Sequence, residues 1–474
     1  MFARRIIVKN SLALLLAVGL LAGCKKGTPT APDPVVVPPT TGTPTPPQYG
    51  TPFAGVPNRE DAVMYQVNMR AFSQGGNFAG VTARLDSIKA LGVNVLYLMP
   101  IYPVGQATGS YPAYNSPYAV KDYRAVNAEF GSLADLRTLV DAAHARGLSV
   151  MLDWVANHTS WDNPWLTSHP DWYVRNAAGA IIPVSNNGTT YNDVAQLDFA
   201  KPAMRLEMIS AMKLWVFVAN VDGFRCDYAD FQPNDFWQQA TDTLRNVRSH
   251  KLLLLAEGTR AANFSTGFDY NFGFGFYGGI YQVYRNNQPA TAFDALNASE
   301  YVGATGTQRV VRYITNHDVN GSDGTPVALF GGDAGAMSAF VVAACYRGVP
   351  MLYNGQEVGM SRSIPFPFTS VKVDWNARPD IARAYRQLLT ARAGSTALRR
   401  GTATPYSTAA VCAFVKTDGP AQALVLANTR NAAFTYPLPP ALANTTWTDA
   451  LHGTPVTLGT DVPLPAYGYM VLTR

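Results

Sequence analysis

The sequence predicts an α/β fold: a (β/α)8 TIM barrel with a small inserted domain after strand 3 and a C-terminal antiparallel β-sandwich domain. Short apolar runs alternate with helical patterns about eight times over roughly 340 residues, which is typical of a parallel barrel. A stretch rich in Asn, Pro, Trp and Gly interrupts the alternation after the third strand, and beyond Gly394 short alternating apolar runs replace it. A doubly wound open sheet is the alternative, but the sequence has no glycine-rich nucleotide loop to support it.

Composition limits the classes of protein to which the chain can belong. Of its 474 residues, 47% are apolar and 15% charged, so the chain can bury large cores and is neither disordered nor a coiled coil. A net charge of +5 without a long basic run argues against nucleic acid as a partner. The four cysteines lie far apart and lack metal spacing, which predicts neither a zinc site nor a disulfide framework.

The N-terminus has the pattern of a targeting segment. Basic residues precede an apolar stretch from Leu12 to Leu21, which is short for a bilayer span. The following Leu21-Ala22-Gly23-Cys24 resembles the lipobox of bacterial lipoproteins. We therefore expect a signal peptide at 1–23 and a lipid anchor at Cys24; a simple secretory peptide is the alternative. The resemblance implies a membrane-anchored lipoprotein of the outer membrane that faces the cell surface or the periplasm.

Residues 24–52 predict an extended tether, because nine of the 33 prolines lie between 28 and 52. The barrel strands are predicted from apolar runs at 63–67, 93–99, 148–152, 223–226, 252–256, 309–315 and 349–353. Helical spacing predicts helices around 81–91, after Ser132, and at 204–218, 236–247 and 334–346.

These elements divide the folded part of the chain into three domains. We assign the barrel to 53–153 and 198–395, the inserted domain to 154–197 and the β-sandwich to 396–474. Four aromatic residues of the insertion could extend a sugar-binding platform or form the core of that small domain: Trp161, Trp165, Trp172 and Tyr173.

Polar residues at the ends of the predicted strands are the candidates for chemistry, because a parallel barrel presents its active site at the carboxyl ends of its strands. They are Asp153, Asn157 and His158; Arg225 and Asp227; Glu257; and Asn316, His317 and Asp318. Each has a structural explanation when taken alone: a loop cap, a salt bridge or a buried core histidine.

Together these residues resemble glycoside hydrolase family 13, the α-amylase family, in type and in order along the chain. The matching segments are Asp153-Trp154-Val155-Ala156-Asn157-His158, Gly223-Phe224-Arg225-Cys226-Asp227, Ala256-Glu257 and Asn316-His317-Asp318. Segments 116–123, 354–357 and 467–469 are also similar, so the resemblance covers the chain from about Asp61 to its end.

The resemblance implies a retaining glycosidase, in which an ionised carboxylate attacks the sugar and a protonated carboxyl acts as acid. Asp227 is implied as the nucleophile, Glu257 as the acid/base and Asp318 as the third carboxylate. Arg225 should keep the pKa of Asp227 low, and an apolar setting should raise that of Glu257. The implied substrate-binding residues are Tyr118, His158, Arg225, His317 and Asp153.

The implied activity is cleavage of α-1,4-glucosidic bonds in starch or malto-oligosaccharides by a monomer. A transglycosylase, or an enzyme specific for α-1,6 links or short oligosaccharides, is the alternative, and a non-catalytic glycan-binding lipoprotein is a third reading. No cofactor is required by this chemistry.

Structural calcium is the point at which the chain departs from the family pattern. Many members bind Ca²⁺ between barrel and insertion through an asparagine, which Asn157 matches, and an aspartate. Neutral Gln196 stands where that aspartate is expected, and Phe231 where a histidine is usual. Because carboxylates supply most of the affinity for Ca²⁺, we expect a weakened site and little sensitivity to EDTA. Asp193 or Asp198 could supply the charge under a shifted alignment.

Overall fold

The computed structural model describes residues 46–186 and 188–474. The predicted signal peptide, Cys24 and most of the tether lie outside these residues. The described chain forms nineteen strands: β1 Met64–Val67, β2 Val95–Leu98, β3 Ser149–Trp154, β4 His158–Ser160, β5 Pro183–Asn186, β6 Thr189–Gln196, β7 Gly223–Cys226, β8 Leu253–Ala256, β9 Tyr270–Phe272, β10 Arg309–Arg312, β11 Val349–Tyr353, β12 Thr402–Pro405, β13 Val411–Asp418, β14 Ala421–Asn428, β15 Phe434–Pro437, β16 Thr446–Asp449, β17 Pro455–Thr457, β18 Asp461–Leu464 and β19 Tyr469–Thr473.

Eight of these strands close into a parallel barrel in the order β1-β2-β3-β7-β8-β9-β10-β11, with β11 paired to β1. Every residue of the eight strands is buried. Strands covered on both faces read as near-continuous apolar runs, which is why the sequence predicted seven of them. The predicted TIM barrel is confirmed.

The sequence did not single out β9, which the structure places as the sixth barrel strand. It spans three residues, Tyr270–Phe272, and lies where aromatic residues alternate with polar residues or glycine from 268 to 276. This segment is not a continuous apolar run, unlike those that marked the other barrel strands. The pairing of its neighbours β8 and β10 defines it.

Helices surround the barrel and fill the connections. They are α1 Met69–Phe72, α2 Phe78–Thr82, α3 Leu85–Ala90, α4 Leu133–Ala145, α5 Trp165–Ser168, α6 Pro202–Ala219, α7 Asn234–Arg245, α8 Ala261–Ser265, α9 Phe274–Ile280, α10 Ala292–Ser299, α11 His317–Ser322, α12 Pro326–Leu329, α13 Gly332–Cys345, α14 Pro379–Gly394 and α15 Thr396–Arg400. Short 3-10 helices lie at Arg59–Asp61, Pro170–Trp172 and Gln356–Val358, and a π-helix lies at Tyr281–Arg285.

Two of these helical regions show where a helix predicted from the sequence agrees with the structure and where it differs. The helix after Ser132 begins with the expected capping box, because the Ser132 side chain accepts from the Asp135 N–H and the Asp135 carboxylate accepts from the Ser132 N–H. The apolar spacing over 81–91 instead belongs to two short helices, α2 and α3, that meet at Arg84.

The insertion after β3 contains a three-stranded sheet in the order β4-β6-β5. Its aromatic residues pack inward: Trp161, Trp172 and Tyr173 are buried, and Trp165 packs edge to face on Trp172. They pack into the same hydrophobic cluster as the barrel core. This arrangement favours the core interpretation over the sugar platform.

The C-terminal region forms antiparallel sheets, as predicted. A six-stranded sheet has the order β12-β13-β14-β19-β16-β17, and β15 pairs with β18 in a second sheet. Alternate residues of β13 and β14 pack with residues of β15 and β18 in one core. Trp447 is 2% exposed and lies in that core, so it offers no surface for a glycan.

Two further features of the described residues concern membrane-spanning helices and the pairing of the cysteines. No helix in residues 46–186 or 188–474 has the length and apolar character needed to cross a membrane. Cys226, Cys345 and Cys412 are buried and unpaired, in line with the absence of a disulfide pattern among them.

Candidate active site

Arg225 lies at the centre of a cluster of carboxylates inside the barrel. Its side chain is completely buried. Nη1 lies 2.7 Å from Asp153 Oδ1 and 2.8 Å from Asp227 Oδ1, and Nη2 forms an ion pair with Glu257 Oε1. Burial of a guanidinium is costly unless its charge is compensated, and here three carboxylates compensate it. One cation therefore holds three carboxylates in contact with it.

The barrel register explains why these four residues converge. Asp153 on β3 pairs directly with Arg225 on β7, and Cys226 pairs with Ala256 on β8. Asp227 and Glu257 are the next residues along these two neighbouring strands, so both lie at the carboxyl edge. Side chains two apart on a strand point to the same face, which directs Arg225 and Asp227 together.

Burial raises the pKa of both carboxyl groups at this edge. Burial raises the pKa of Asp227 to about 7, although Arg225 lowers it. The prediction of a low pKa for Asp227 is therefore wrong, because loss of hydration outweighs the single cation that three carboxylates share. Burial also raises the pKa of Glu257, well above its usual range, against the opposing effect of Arg225. Both carboxyl groups therefore hold a proton more tightly than they would in water.

A hydrogen-bonded chain connects His317 to this cluster. Gln66 Oε1 accepts from the His317 backbone N–H at 3.2 Å, so its amide Nε2 faces the ring Nδ1 at 2.8 Å. Nδ1 is then an acceptor, and the ring proton lies on Nε2, 2.7 Å from the Tyr118 hydroxyl. Tyr118 donates in turn to Asp153 Oδ2 at 3.0 Å. Burial lowers the pKa of His317, which favours this neutral form.

Asp318 differs from the other carboxylates because its side chain is 55% exposed. It lies in the first turn of α11, and the Asn316 side chain accepts from its backbone N–H at 2.9 Å. Its Oδ1 is 3.3 Å from His317 Nε2. An exposed carboxylate at the edge of a buried cluster is free to accept hydrogen bonds from a ligand.

His158 lies on the other side of Tyr118. Its Nε2 is 3.1 Å from the Tyr118 carbonyl oxygen, and its Nδ1 is 3.3 Å from the Asn157 amide nitrogen. Burial lowers the pKa of His158 to about 4, so the ring is neutral near pH 7. The predicted hydrogen bond from His158 to a sugar would have to replace one of these contacts.

The structure thus brings all eight predicted residues of the barrel into one connected site, while Cys24 lies outside the described residues. The sequence reasoning missed Gln66 on β1 and Tyr97 on β2. Tyr97 donates to Asp153 Oδ2 at 2.7 Å. Both are polar groups inside apolar strand runs, and a buried polar group needs a partner. That requirement was the signal available in the sequence.

An aromatic pair flanks the site immediately after Asp227. Tyr228 and Phe231 stack with their ring centroids 3.6 Å apart, and Phe231 is 50% exposed. The Tyr228 backbone N–H donates to Glu257 Oε2 at 2.8 Å, which ties this turn to the candidate acid.

The residues at the implied calcium position do not fit that ion. Gln196 Nε2 donates to Asn157 Oδ1 at 3.2 Å and to the carbonyl oxygens of Asn157 and Leu197 at 3.3 Å. The oxygens that would bind Ca²⁺ therefore face an amide donor, and Gln196 offers the ion no negative charge. Among residues 46–186 and 188–474, no group of three or more His, Cys, Asp or Glu residues is arranged to hold a metal.

Comparison with known proteins finds relatives with a similar sequence. Residues 48–178 match the family model "Alpha amylase, catalytic domain". The α-amylase MalA of Haloarcula japonica is 27% identical over 315 residues, which cover 63% of this chain and 44% of that protein. An oligo-1,6-glucosidase of Parageobacillus thermoglucosidasius is 31% identical over 35% of this chain and 34% of its own length. An α-1,4-glucan:maltose-1-phosphate maltosyltransferase of Rhodospirillum rubrum is 32% identical over 38% of this chain and 28% of its own.

Solved structures extend the likeness to the whole fold. The crystal structure of an α-amylase from Lactobacillus plantarum superposes with a TM-score of 0.77 and 26% identity, covering 88% of this chain and 99% of that one. This chain spans less than half the length of the three relatives named above. The three comparisons together support similarity to α-amylase catalytic domains, in line with the predicted resemblance to enzymes that act on O-glycosyl bonds.

Proposed function

We propose that this chain is a retaining glycoside hydrolase that cleaves α-1,4-glucosidic bonds of starch or malto-oligosaccharides. One observation carries the proposal: Arg225 contacts the carboxylates of Asp227 and Glu257 through neighbouring nitrogens of one guanidinium. The two carboxyl groups are therefore close neighbours. A retaining enzyme needs its two carboxyl groups about 5–5.5 Å apart, whereas an inverting enzyme needs a wider gap for water.

The proposed first step gives the two carboxyl groups of this pair different roles. The ionised Asp227 carboxylate attacks the anomeric carbon and forms a glycosyl ester, while Glu257 gives its proton to the departing glycosidic oxygen. Glu257 then takes a proton from a water molecule, which attacks the same carbon and releases Asp227. Two inversions at one carbon give net retention.

The surrounding residues fit roles in sugar binding. Asp318 is exposed and can accept hydrogen bonds from sugar hydroxyls. Tyr118 is half-buried and stacks on His317 with ring centroids 5.2 Å apart, and its other face could lie against a sugar ring. Asp153 positions Arg225 and Tyr118 through the contacts described above. His158 and His317 are proposed as hydrogen-bond partners of the same sugar.

Substitution of the two carboxyl groups tests the proposal. Asp227→Asn and Glu257→Gln should each lower kcat by about 10³-fold or more on soluble starch, because each removes an indispensable bond-making or proton-transfer role. Asp242→Asn removes an exposed carboxylate on α7 and should leave activity at the parental level. NMR of the first product should show a retained anomeric configuration; an inverted product, or near-parental activity of either variant, contradicts the assignment.

Transglycosylation, or action on α-1,6 links, is the second candidate function. It has direct support from the maltosyltransferase and the oligo-1,6-glucosidase among the relatives. The same covalent intermediate serves both reactions, and only the acceptor that attacks it differs. Product analysis on soluble starch, maltotriose and pullulan distinguishes them: hydrolysis of starch supports the first proposal, longer products from maltotriose support transfer, and cleavage confined to pullulan supports α-1,6 action.

We also propose that Cys24 carries the lipid anchor that the sequence pattern implies. The Cys24→Ser variant should move from the detergent phase to the aqueous phase in a detergent partition experiment, because one residue carries all the acyl chains. An unchanged distribution would exclude the anchor. The proline-rich tether fits an enzyme held at the outer membrane, and an outward-facing location suits a polymeric substrate.

A further inference from the structure

A polar cavity of about 330 Å³ lies on the face of the barrel opposite the candidate active site. Its lining residues precede barrel strands or begin them: Asn58, Arg59 and Glu60 come before β1, Leu252 and Leu253 enter β8, Asp269 comes before β9 and Thr307 before β10. Arg245, Lys251 and Arg400 complete the lining. The catalytic candidates lie at the other ends of these strands, so the two sites share no residue.

Four of the lining side chains are cations and two are acids, and both acids are buried and engaged. Asp269 accepts from Arg59 Nε at 2.5 Å, from Arg245 Nη2 at 2.6 Å and from the Leu254 N–H at 2.8 Å. The Glu60 carboxylate is 3.7 Å from Arg309 Nη2, a cation outside the lining. Asp269 therefore fixes Arg59 and Arg245 in place, and neither lining acid pairs with Lys251 or Arg400.

Lys251 is the cation with the least compensation. Its Nζ donates to the Val56 carbonyl oxygen at 3.0 Å and to Asn58 Oδ1 at 2.9 Å, both uncharged acceptors. Within residues 46–186 and 188–474 it forms no ion pair with a carboxylate. An ammonium has three N–H donors, so one remains for a ligand.

Two arginines add further donors at the same cavity. The Arg59 side chain is 37% exposed and that of Arg400 is 39% exposed. Arg59 uses Nε and Nη1, for Asp269 and Thr307, and Arg400 uses Nε and Nη2, for Asp61. Arg59 Nη2 and Arg400 Nη1 remain available. Guanidinium donors held in place by carboxylates, buried Asp269 for Arg59 and part-buried Asp61 for Arg400, are suited to a tetrahedral oxyanion.

We propose that this cavity, the basic pocket, binds a phosphate group. Lys251, Arg59 and Arg400 supply the charge and the hydrogen bonds, and the volume leaves room for what the phosphate is attached to. An aromatic surface is missing from the lining, which argues against a sugar alone as the ligand. The phosphate could come from free phosphate or from the headgroup of an anionic phospholipid.

The N-terminal segment runs along the same face as the basic pocket. The Tyr49 N–H donates to the Phe217 carbonyl oxygen at 2.7 Å, and the Asn220 amide donates to the Thr51 carbonyl oxygen at 2.8 Å. Both partners lie near the end of α6, just before β7. A tether entering here would hold the pocket side of the barrel towards a membrane, and the candidate active site would face away from it.

Thermal unfolding of the full chain in inorganic phosphate is the first test. Phosphate should raise Tm above that in sodium chloride of the same ionic strength. Lys251→Gln should bind phosphate about tenfold more weakly, because it loses a charge-assisted hydrogen bond. Lys201→Gln, which removes a lysine at the start of α6 on the opposite face, should bind phosphate like the parent. Arg400→Gln is the second variant, should Lys251→Gln fail to fold.

Vesicle sedimentation identifies the source of the phosphate. The parent and the two lysine variants are compared on vesicles of phosphatidylcholine with and without phosphatidylglycerol, so that the common N-terminus contributes equally. If only Lys251→Gln loses the preference for vesicles that contain phosphatidylglycerol, the pocket binds a phospholipid headgroup. If all three proteins sediment equally, while the parent binds phosphate and Lys251→Gln binds it more weakly, the pocket binds free phosphate. If phosphate and chloride shift Tm equally, or if Lys251→Gln and Lys201→Gln respond alike in both tests, the proposal is overturned. Hydrolase activity should be parental in both variants, so a failure of the phosphate-binding proposal can be distinguished from a failure of the proposed function.

Discussion

Gln196→Glu tests whether an amide takes the place of a calcium ion between the barrel and the insertion. The change is isosteric and replaces the Nε2 donor by a carboxylate oxygen. Three oxygens now accept from that donor, at 3.2–3.3 Å: Asn157 Oδ1 and the carbonyls of Asn157 and Leu197. In the variant, all three would instead face a negative charge.

The size of the effect follows from these distances. They lie at the long end of the hydrogen-bond range, so each contact contributes about 0.5 kcal/mol, near the lower limit for a net hydrogen bond. Loss of three contacts and the new repulsion together should cost about 2 kcal/mol. At roughly 2–4 °C per kcal/mol, this corresponds to a fall in Tm of about 4–8 °C.

Calcium should reverse this loss in the variant alone. The new carboxylate and the three oxygens form a partial oxygen cage, which water can complete. Differential scanning fluorimetry with EDTA or Ca²⁺ should therefore show no response in the parent and recovery of Tm in Gln196→Glu. Gln239→Glu, on the exposed face of α7, adds the same charge elsewhere and should respond like the parent. A parental Tm that falls in EDTA and recovers with Ca²⁺ would refute the reasoning, since another residue would then supply the anionic ligand.

The other predictions concern the candidate active site. Because the pKa of Asp227 is raised to about 7, kcat/KM should fall as pH drops below 7 and the nucleophile becomes protonated. The raised pKa of Glu257 should move the loss of activity on deprotonation of the acid to higher pH. A pH-rate profile that is flat down to pH 5 would contradict the first expectation. Tyr118→Phe removes the hydroxyl between His317 and Asp153 and should lower kcat about tenfold with correct folding by circular dichroism; unchanged kcat would show that the hydroxyl is dispensable. Gln66→Leu should allow the His317 ring to change tautomer, which would shift its imidazole nitrogen resonances in NMR. Gln66→Glu keeps the acceptor for the His317 backbone N–H, so it should shift these resonances in a different way.

The barrel and the residues of the candidate site were predictable because each leaves a local mark in the chain. Buried parallel strands have continuous apolar runs, and polar residues at their ends, such as Asp227 and Glu257, interrupt those runs visibly. The capping box at Ser132 is equally local, since both partners lie within one helical turn. Residue type and order along the chain thus sufficed for the fold class and for the candidates.

Tertiary structure decided what depends on neighbours distant in sequence. The three-residue strand β9 pairs with β8 and β10 in the barrel, and the local alternation of aromatic residues around it does not by itself give that place. The raised pKa of Asp227 reflects burial beside a cation shared with Asp153 and Glu257, which come from other strands. The sequence shows the type and order of charged groups, but the cost of removing them from water depends on the packing around them.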